Sequence, residues 1–185
     1  MKFTETELSG AFLIDIERLE DSRGFFARAW CAQEFSIHGL PPVLEQASIS
    51  YNIRKGTLRG MHFSGAPSKE GKLVRCIAGR IFDVIIDLRP NSPTFLQHCK
   101  VELSAAESNS LYVPPGLAHG FQTLEDHTEI LYMMTESYVA ERAAGFRWND
   151  PAFGIVWPDI ERHVHDRDQA YADFSEEAVQ DFTGY

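Results

Sequence analysis

The residues best suited to chemistry lie in two short stretches. They are Lys55-Gly56-Thr57-Leu58-Arg59-Gly60-Met61-His62-Phe63 and Gly71-Lys72-Leu73-Val74-Arg75. A neutral imidazole takes up a proton near pH 7, and fixed cations hold an anion or stabilise a developing oxyanion. His62 with Arg59 three residues before it and Lys72 ten after it therefore suggests proton transfer on a negatively charged small molecule. Alone, His62 reads as a structural histidine; its cationic company favours chemistry. Gly56 and Gly60 permit backbone geometry that bulkier residues resist.

His119 follows a rigid Val113-Pro114-Pro115-Gly116 turn and opens the next apolar stretch, Gly120 to Leu124. Such a turn can deliver a polar side chain into an apolar barrel. A histidine that caps the turn accounts for it equally well. Tyr132, in Glu129-Ile130-Leu131-Tyr132-Met133-Met134-Thr135, shares a strand face with Ile130 and Met134. It is either a core tyrosine with a satisfied hydroxyl or a proton donor across a pocket from a base. Asp168 sits in a charge run, His165-Asp166-Arg167-Asp168, and is either solvated or an orienting carboxylate for a histidine. A metal centre is not expected. Ser64 stands where an H-x-H pair would need a second histidine, and His163-Val164-His165 lies in a polar tail. No P-loop, dinucleotide or nucleophile-elbow motif is present.

Short strands must position these groups. Period-2 patterns predict strands at Phe12–Ile16, Lys72–Ile77, Ile81–Leu88, Cys99–Leu103, Ser110–Val113, Gly120–Leu124 and Thr128–Thr135. Ala78-Gly79-Arg80 reads as the tight turn of a hairpin joining the second and third, and Asp21-Ser22-Arg23-Gly24 as another turn. His62 is expected at the start of a strand. Helix is confined to Ala32–Ile37 and to a tail in which Asp173-Phe174-Ser175-Glu176 has capping-box form before Glu177–Phe182. The pattern is all-β, a β-sandwich or barrel with a few short helices at the periphery and C-terminus. One domain is expected over 1–185, with its core at about 12–160 and a tail at 161–185.

Composition narrows the classes. A net charge of -10 opposes general nucleic-acid binding, which needs a basic surface. No apolar run reaches the ~20 residues that cross a bilayer, so no membrane association is expected. Met1-Lys2-Phe3-Thr4-Glu5-Thr6-Glu7 offers no apolar h-region, so a secretory signal is not expected. Three scattered cysteines (Cys31, Cys76, Cys99) form no C-x-x-C pair, and a cytoplasmic, reducing setting fits them.

Taken together and in order, these segments resemble the dTDP-4-dehydrorhamnose 3,5-epimerase family over about residues 12–170. Besides the stretches above, Asp21-Ser22-Arg23-Gly24-Phe25-Phe26, Phe82-Asp83-Val84, Asp87-Leu88-Arg89, Ala118-His119-Gly120-Phe121, Trp148-Asn149-Asp150-Pro151 and Trp157-Pro158 carry the likeness. The resemblance implies a cupin-like jelly roll that works as a homodimer without cofactor or metal on a nucleotide-linked sugar. It implies that His62 is the general base with Asp168 as its partner, that Lys72 stabilises the enolate at O4, and that Tyr132 reprotonates C5. Arg23, Phe26, Gln46, Arg59, Tyr138 and Arg167 match nucleotide- or phosphate-contacting positions. His119 matches a pocket histidine, and Asp83 would orient Lys72 or His119. The family pattern differs here at Phe63-Ser64 and Met133, and at Arg28 and Ser48, where the nucleotide is read. The implied activity is inversion at C3 and C5 of a dTDP-linked 4-keto-6-deoxyhexose, as in rhamnose biosynthesis. Alternatives are a C3-only epimerase, a non-catalytic sugar-nucleotide-binding cupin and, last, a metal-dependent oxygenase.

Overall fold

The computed structural model describes residues 1–179. Its strands are β1 (Lys2–Glu5), β2 (Phe12–Asp15), β3 (Leu19–Asp21), β4 (Gly24–Phe26), β5 (Gln46–Asn52), β6 (Thr57–Ser64) and β7 (Lys72–Ala78). They continue with β8 (Arg80–Asp87), β9 (His98–Ser104), β10 (Ser110–Val113), β11 (Leu117–Thr123), β12 (Thr128–Met134), β13 (Ala143–Gly145) and β14 (His163–Val164). Two short helices, α1 (Ala32–Ile37) and α2 (Asp166–Gln169), complete the set.

One sheet runs β1-β2-β10-β7-β12-β5 and a second runs β13-β6-β11-β8-β9, with β14 added in parallel to β6. The main core lies between them. Val74, Cys76, Leu111 and Ile130 of the first sheet meet Ile81, Ile85, Leu103 and Phe121 of the second. This is the cupin-like jelly roll. The outer face of the second sheet is covered too: Leu58, Val84 and Ile86 pack under Phe146, Phe153 and Trp157 from the C-terminal segments. On the first sheet, Phe35 of α1 and Leu40 cover Ile14, Leu73 and Tyr112.

The expected hairpin at Ala78-Gly79-Arg80 is a corner instead. β7 pairs with β10 and β12, whereas β8 pairs with β9 and β11 in the other sheet. The reason is visible in β8, where Ile81 and Ile85 feed the inter-sheet core while Val84 and Ile86 feed the outer one. A strand apolar on both faces belongs inside a covered sheet, and chains change sheets at such corners. Gly79 makes the corner at φ +74, with no room for a Cβ against Thr128 Oγ1 at 2.5 Å. The local hairpin lies elsewhere: β3 and β4 pair across Asp21–Gly24, where Asp21 accepts from Arg23 N at 2.8 Å.

Other boundaries also shift. His62 lies toward the end of β6 rather than at the start of a strand, and β11 begins at Leu117, before His119. β1, β5 and α2 add to the expected elements. Residues 176–179 form one 3-10 turn, and the remainder of the expected Glu177–Phe182 helix lies outside the described residues.

Candidate active site

A cavity of about 360 Å³ opens between the sheets, with His62 on one wall and Lys72 and Tyr132 on the other. The floor is set by strand register. Met134 pairs with Gln46 on one side and Lys72 on the other, and Tyr132 pairs with Ser48 and Val74. Side chains two apart share a face, so β5, β12 and β7 present Gln46, Ser48, Lys72 and Tyr132 to the same space.

His62 reaches that space through an irregularity in β6. Its partner on β11 is His119, yet Arg59 pairs with Phe121, so β6 holds one extra residue in the interval. A bulge of this kind resets which way side chains point. The strands meet here through two glycines: a Cβ on Gly60 would stand 2.6 Å from Gly120 Cα, and φ at Gly60 is +138.

α2 then brings a carboxylate to the histidine. Asp168 is buried and lies 2.9 Å from His62 Nε2, while its other oxygen accepts from Gly60 N–H at 3.2 Å. Burial alone would raise Asp168. The hydrogen bond and charge of His62, with the Gly60 N–H and Arg167, outweigh it and hold Asp168 below the usual carboxylate range. An ionised carboxylate only accepts. The imidazole proton therefore sits on Nε2, which leaves Nδ1 as the basic nitrogen. His165 caps α2, its Nδ1 accepting from Arg167 N at 3.1 Å.

Tyr132 is held as a phenol. Burial drives its hydroxyl far above the ordinary tyrosine value, and the Asp83 carboxylate adds to this against an opposing effect of Arg59. Behind it, His119 is buried with its Nε2 2.9 and 3.0 Å from the two oxygens of Asp83, and its ring stands edge-on to Tyr132 at 5.9 Å. Asp83 thus orients His119 rather than Lys72. Burial pushes Asp83 above the usual carboxylate range, against the charge and hydrogen bond of His119. Lys72 Nζ instead meets Glu70 Oε1 at 3.1 Å.

Six of the residues expected from sequence line one cavity: Gln46, His62, Lys72, Tyr132, Tyr138 and Arg167. Asp168 backs His62 and His119 lies behind Tyr132, so neither forms part of the lining. Arg59, held by Asn52 Oδ1 at 2.9 Å, faces a separate, more open cleft of about 770 Å³ beside β14. Arg23 and Phe26 lie apart from the cavity on the β3–β4 hairpin, where Phe26 is 74% exposed. Among the described residues, no group of three or more His, Cys, Asp or Glu side chains could hold a metal ion.

Two lining residues escape a sequence reading. Glu70 carries one local signal, its place two residues before Lys72. Tyr171 carries none. It enters because the tail folds back, setting its ring edge-on to His62 at 5.9 Å and against Gly145, where a Cβ would meet the ring at 2.6 Å.

Comparison with known proteins agrees over nearly the whole chain. A family model described as dTDP-4-dehydrorhamnose 3,5-epimerase matches residues 5–176. A dTDP-4-dehydrorhamnose 3,5-epimerase of Sinorhizobium fredii is 39% identical over 164 residues, 89% of this chain and 84% of that protein. The crystal structure of the Bacillus anthracis enzyme of that name, with TDP and PPi bound, superposes with a TM-score of 0.90. It is 37% identical and covers 94% of this chain and 99% of its own. The Legionella pneumophila dTDP-6-deoxy-D-glucose-3,5-epimerase, in complex with dTDP-4-keto-L-rhamnose, gives a TM-score of 0.89. It is 31% identical, with 96% of each chain covered. With these matches spanning both sheets and the C-terminal segments that bring Asp168 to His62, the chain belongs to the dTDP-4-dehydrorhamnose 3,5-epimerase family.

Proposed function

We propose that the chain inverts C3 and C5 of a dTDP-linked 4-keto-6-deoxyhexose, converting dTDP-4-dehydro-6-deoxy-D-glucose to dTDP-4-dehydro-L-rhamnose. The observation that carries this reading is the opposition, across one cavity, of His62 backed by Asp168 and the protonated Tyr132. Both carbons flank the C4 ketone, so their protons are acidic. His62 Nδ1 removes the proton, and Asp168 supports the imidazolium that forms. Lys72 donates to O4 as the enolate develops, an interaction of the type worth about 10²–10³ in rate. Tyr132 returns a proton from the opposite face, which is what inversion requires. Arg167, Gln46 and Tyr138 contact the nucleotide part. Gln46 Oε1 is already taken by Tyr138 N at 3.1 Å, which turns its amide N–H groups toward Ser48 and the cavity. These steps use side chains alone.

The same reading includes a homodimer. Arg23 and Phe26 stand clear of their own cavity, and the hairpin also exposes Leu19 at 69%. Opposite the cavity-facing Gln46 and Ser48, β5 shows Ile49 and Tyr51 to the outside, and Ile77 of β7 is exposed on that face too. A second copy covering these residues would place one hairpin at the other's cavity. No helix among the described residues is long and apolar enough to cross a membrane; a cytoplasmic location is part of the proposal.

Incubation with dTDP-4-keto-6-deoxyglucose in deuterated water, followed by NMR, tests the reading. Deuterium at C3 and C5 is expected. Deuterium at C3 alone would favour a C3-only epimerase, and no exchange with any nucleotide-linked keto sugar would leave a binding protein.

A further inference from the structure

The proton-transfer steps above leave one carboxylate in the cavity unused. Glu70 lines the same space as His62, Lys72 and Tyr132, and only 7% of its side chain is exposed. Its backbone is fixed on both sides. Glu70 N donates to Ser68 Oγ at 3.1 Å, and the next residue, Gly71, exchanges bonds with Thr135: Gly71 N to Thr135 Oγ1 at 2.8 Å and Thr135 N to Gly71 O at 2.9 Å. Gly71 also packs so tightly that a Cβ there would stand 2.6 Å from the Tyr112 hydroxyl. The carboxylate is therefore held in place before any ligand arrives. Glu70 Oε1 faces Lys72 Nζ at 3.1 Å. Among the described residues, no hydrogen bond or ion pair engages Oε2, and that atom is not sealed in the core.

A buried carboxylate is an acceptor that must be matched by donors. In a site for a sugar diphosphate it repels the phosphates, which belong beside Arg167, and so it must face the uncharged sugar. The sugar's donors are its hydroxyls. Lys72 holds O4, and the hydroxyl nearest O4 is the one on C3, one bond away. We propose that Glu70 reads the substrate by accepting that C3 hydroxyl through Oε2 while Oε1 keeps Lys72 turned toward the ketone; this rests on the epimerase reading above. Glu70 thereby selects 4-keto sugars that carry a hydroxyl beside the ketone, and it fixes which end of the ligand enters first. A charged acceptor paired to a substrate hydroxyl discriminates strongly against the analogue that lacks it.

The experiment measures kcat/KM for deuterium exchange at C5 with two substrates, dTDP-4-keto-6-deoxyglucose and its counterpart lacking the C3 hydroxyl. Wild-type protein, Glu70→Ala and Glu70→Gln are compared. Wild type is expected to prefer the hydroxylated sugar. Glu70→Ala should lower kcat/KM by a factor common to both sugars, through Lys72, and roughly a further 10- to 100-fold for the hydroxylated sugar alone. Glu70→Gln, which keeps the shape and one acceptor, should recover part of the loss. If both variants lose the same factor on both sugars, Glu70 acts through Lys72 or the fold alone and the inference is overturned. If wild type exchanges C5 of neither sugar, the epimerase reading fails with it, so the two failures are told apart by the wild-type lane.

Discussion

His62 and His119 stand directly opposite each other on β6 and β11, and each presents Nε2 to an aspartate 2.9 Å away. The two pairs live in different surroundings. Asp168 faces the half-open His62 and is held below the usual carboxylate range by its bonds. Asp83 is sealed in the core and pushed above that range by burial. The first pair sets an imidazole at the cavity, where the proposed mechanism needs its base. The other sits behind Tyr132 and helps keep its hydroxyl protonated. Environments that separate paired groups in this way assign acid and base roles.

Replacing either member of the first pair should stop proton removal. His62→Asn is expected to abolish exchange at both carbons while leaving the melting temperature close to wild type. Asp168→Asn keeps the size but offers an N–H to Nε2, which favours the imidazole tautomer protonated on Nδ1. A loss of roughly 10²–10⁴ in kcat is expected. Exchange by Asp168→Asn within a few-fold of wild type would mean that Nδ1 is not the basic atom.

Tyr132→Phe separates removal of a proton from its return. Burial holds the phenol protonated across the working pH range, so the base should still wash deuterium into the substrate from its own face. Inverted product should fall by about 10²–10⁴, the usual worth of a positioned acid. NMR reads both events in one tube. Inversion at C5 that survives in Tyr132→Phe would assign the donor elsewhere.

The geometry of the base depends on a contact without side chains. A Cβ on Gly120 would lie 2.6 Å from Met61 Sδ and 2.9 Å from Arg59 O, against the β6 bulge that aims His62. Gly120→Ala should therefore cost about 1–3 kcal/mol, the usual range for overpacking, and lower exchange further than that stability loss explains. Thermal melts and exchange at a temperature where the variant is fully folded make the comparison.

Much of this was legible beforehand. Ser110–Val113 and Ala32–Ile37 begin and end in the structure where alternation and turn residues place them. Tyr132 shares its face with Ile130 as period 2 requires. What failed was pairing. A tight Ala78-Gly79-Arg80 turn looks the same in sequence whether the strands stay in one sheet or part, and only burial of both faces of β8 decides it. The site was legible where it is local, at His62 and Lys72. Asp168 gained meaning only from the family resemblance, because a charge run does not reveal that α2 docks on β6. Tyr171 depends on the same docking and had no signal at all.

Acid stability should trace to a carboxylate outside the cavity. Asp87 is fully buried and accepts from Arg89 N, Nε and Nη2 at 3.0, 2.9 and 2.8 Å, from Ser92 Oγ at 2.5 Å and from Thr94 Oγ1 at 2.7 Å. Burial raises it, but these bonds win and hold it below the usual carboxylate range. A folded-state pKa lower than the unfolded one contributes stability that is fully present above about pH 4 and is lost as pH falls through the folded value. Asp87→Asn leaves Arg89 half-buried and unpaired, at a cost of about 3–5 kcal/mol. That corresponds to a fall in melting temperature of roughly 6–20 °C at neutral pH. Urea titrations should show wild type losing stability more steeply than the variant as pH drops below about 4. Parallel curves would assign the acid sensitivity to other groups.

The dimer part of the reading makes a prediction that neither protomer alone can satisfy. Arg23 lies on the β3–β4 hairpin, away from the cavity that holds His62. If the hairpin serves the partner's cavity, Arg23→Ala and His62→Asn each spoil every site in their own homodimers. In a mixed dimer, the Arg23→Ala protomer keeps an intact cavity and receives an intact hairpin from its partner. Random exchange at equal amounts makes half of the dimers mixed, each with one complete site. Mixing two weak preparations should then restore about one quarter of the wild-type rate, as closed twofold symmetry requires. Rates that stay at the average of the two variants would place the hairpin at its own chain's cavity. Sedimentation equilibrium on the same samples reports whether the exchanging species is a dimer.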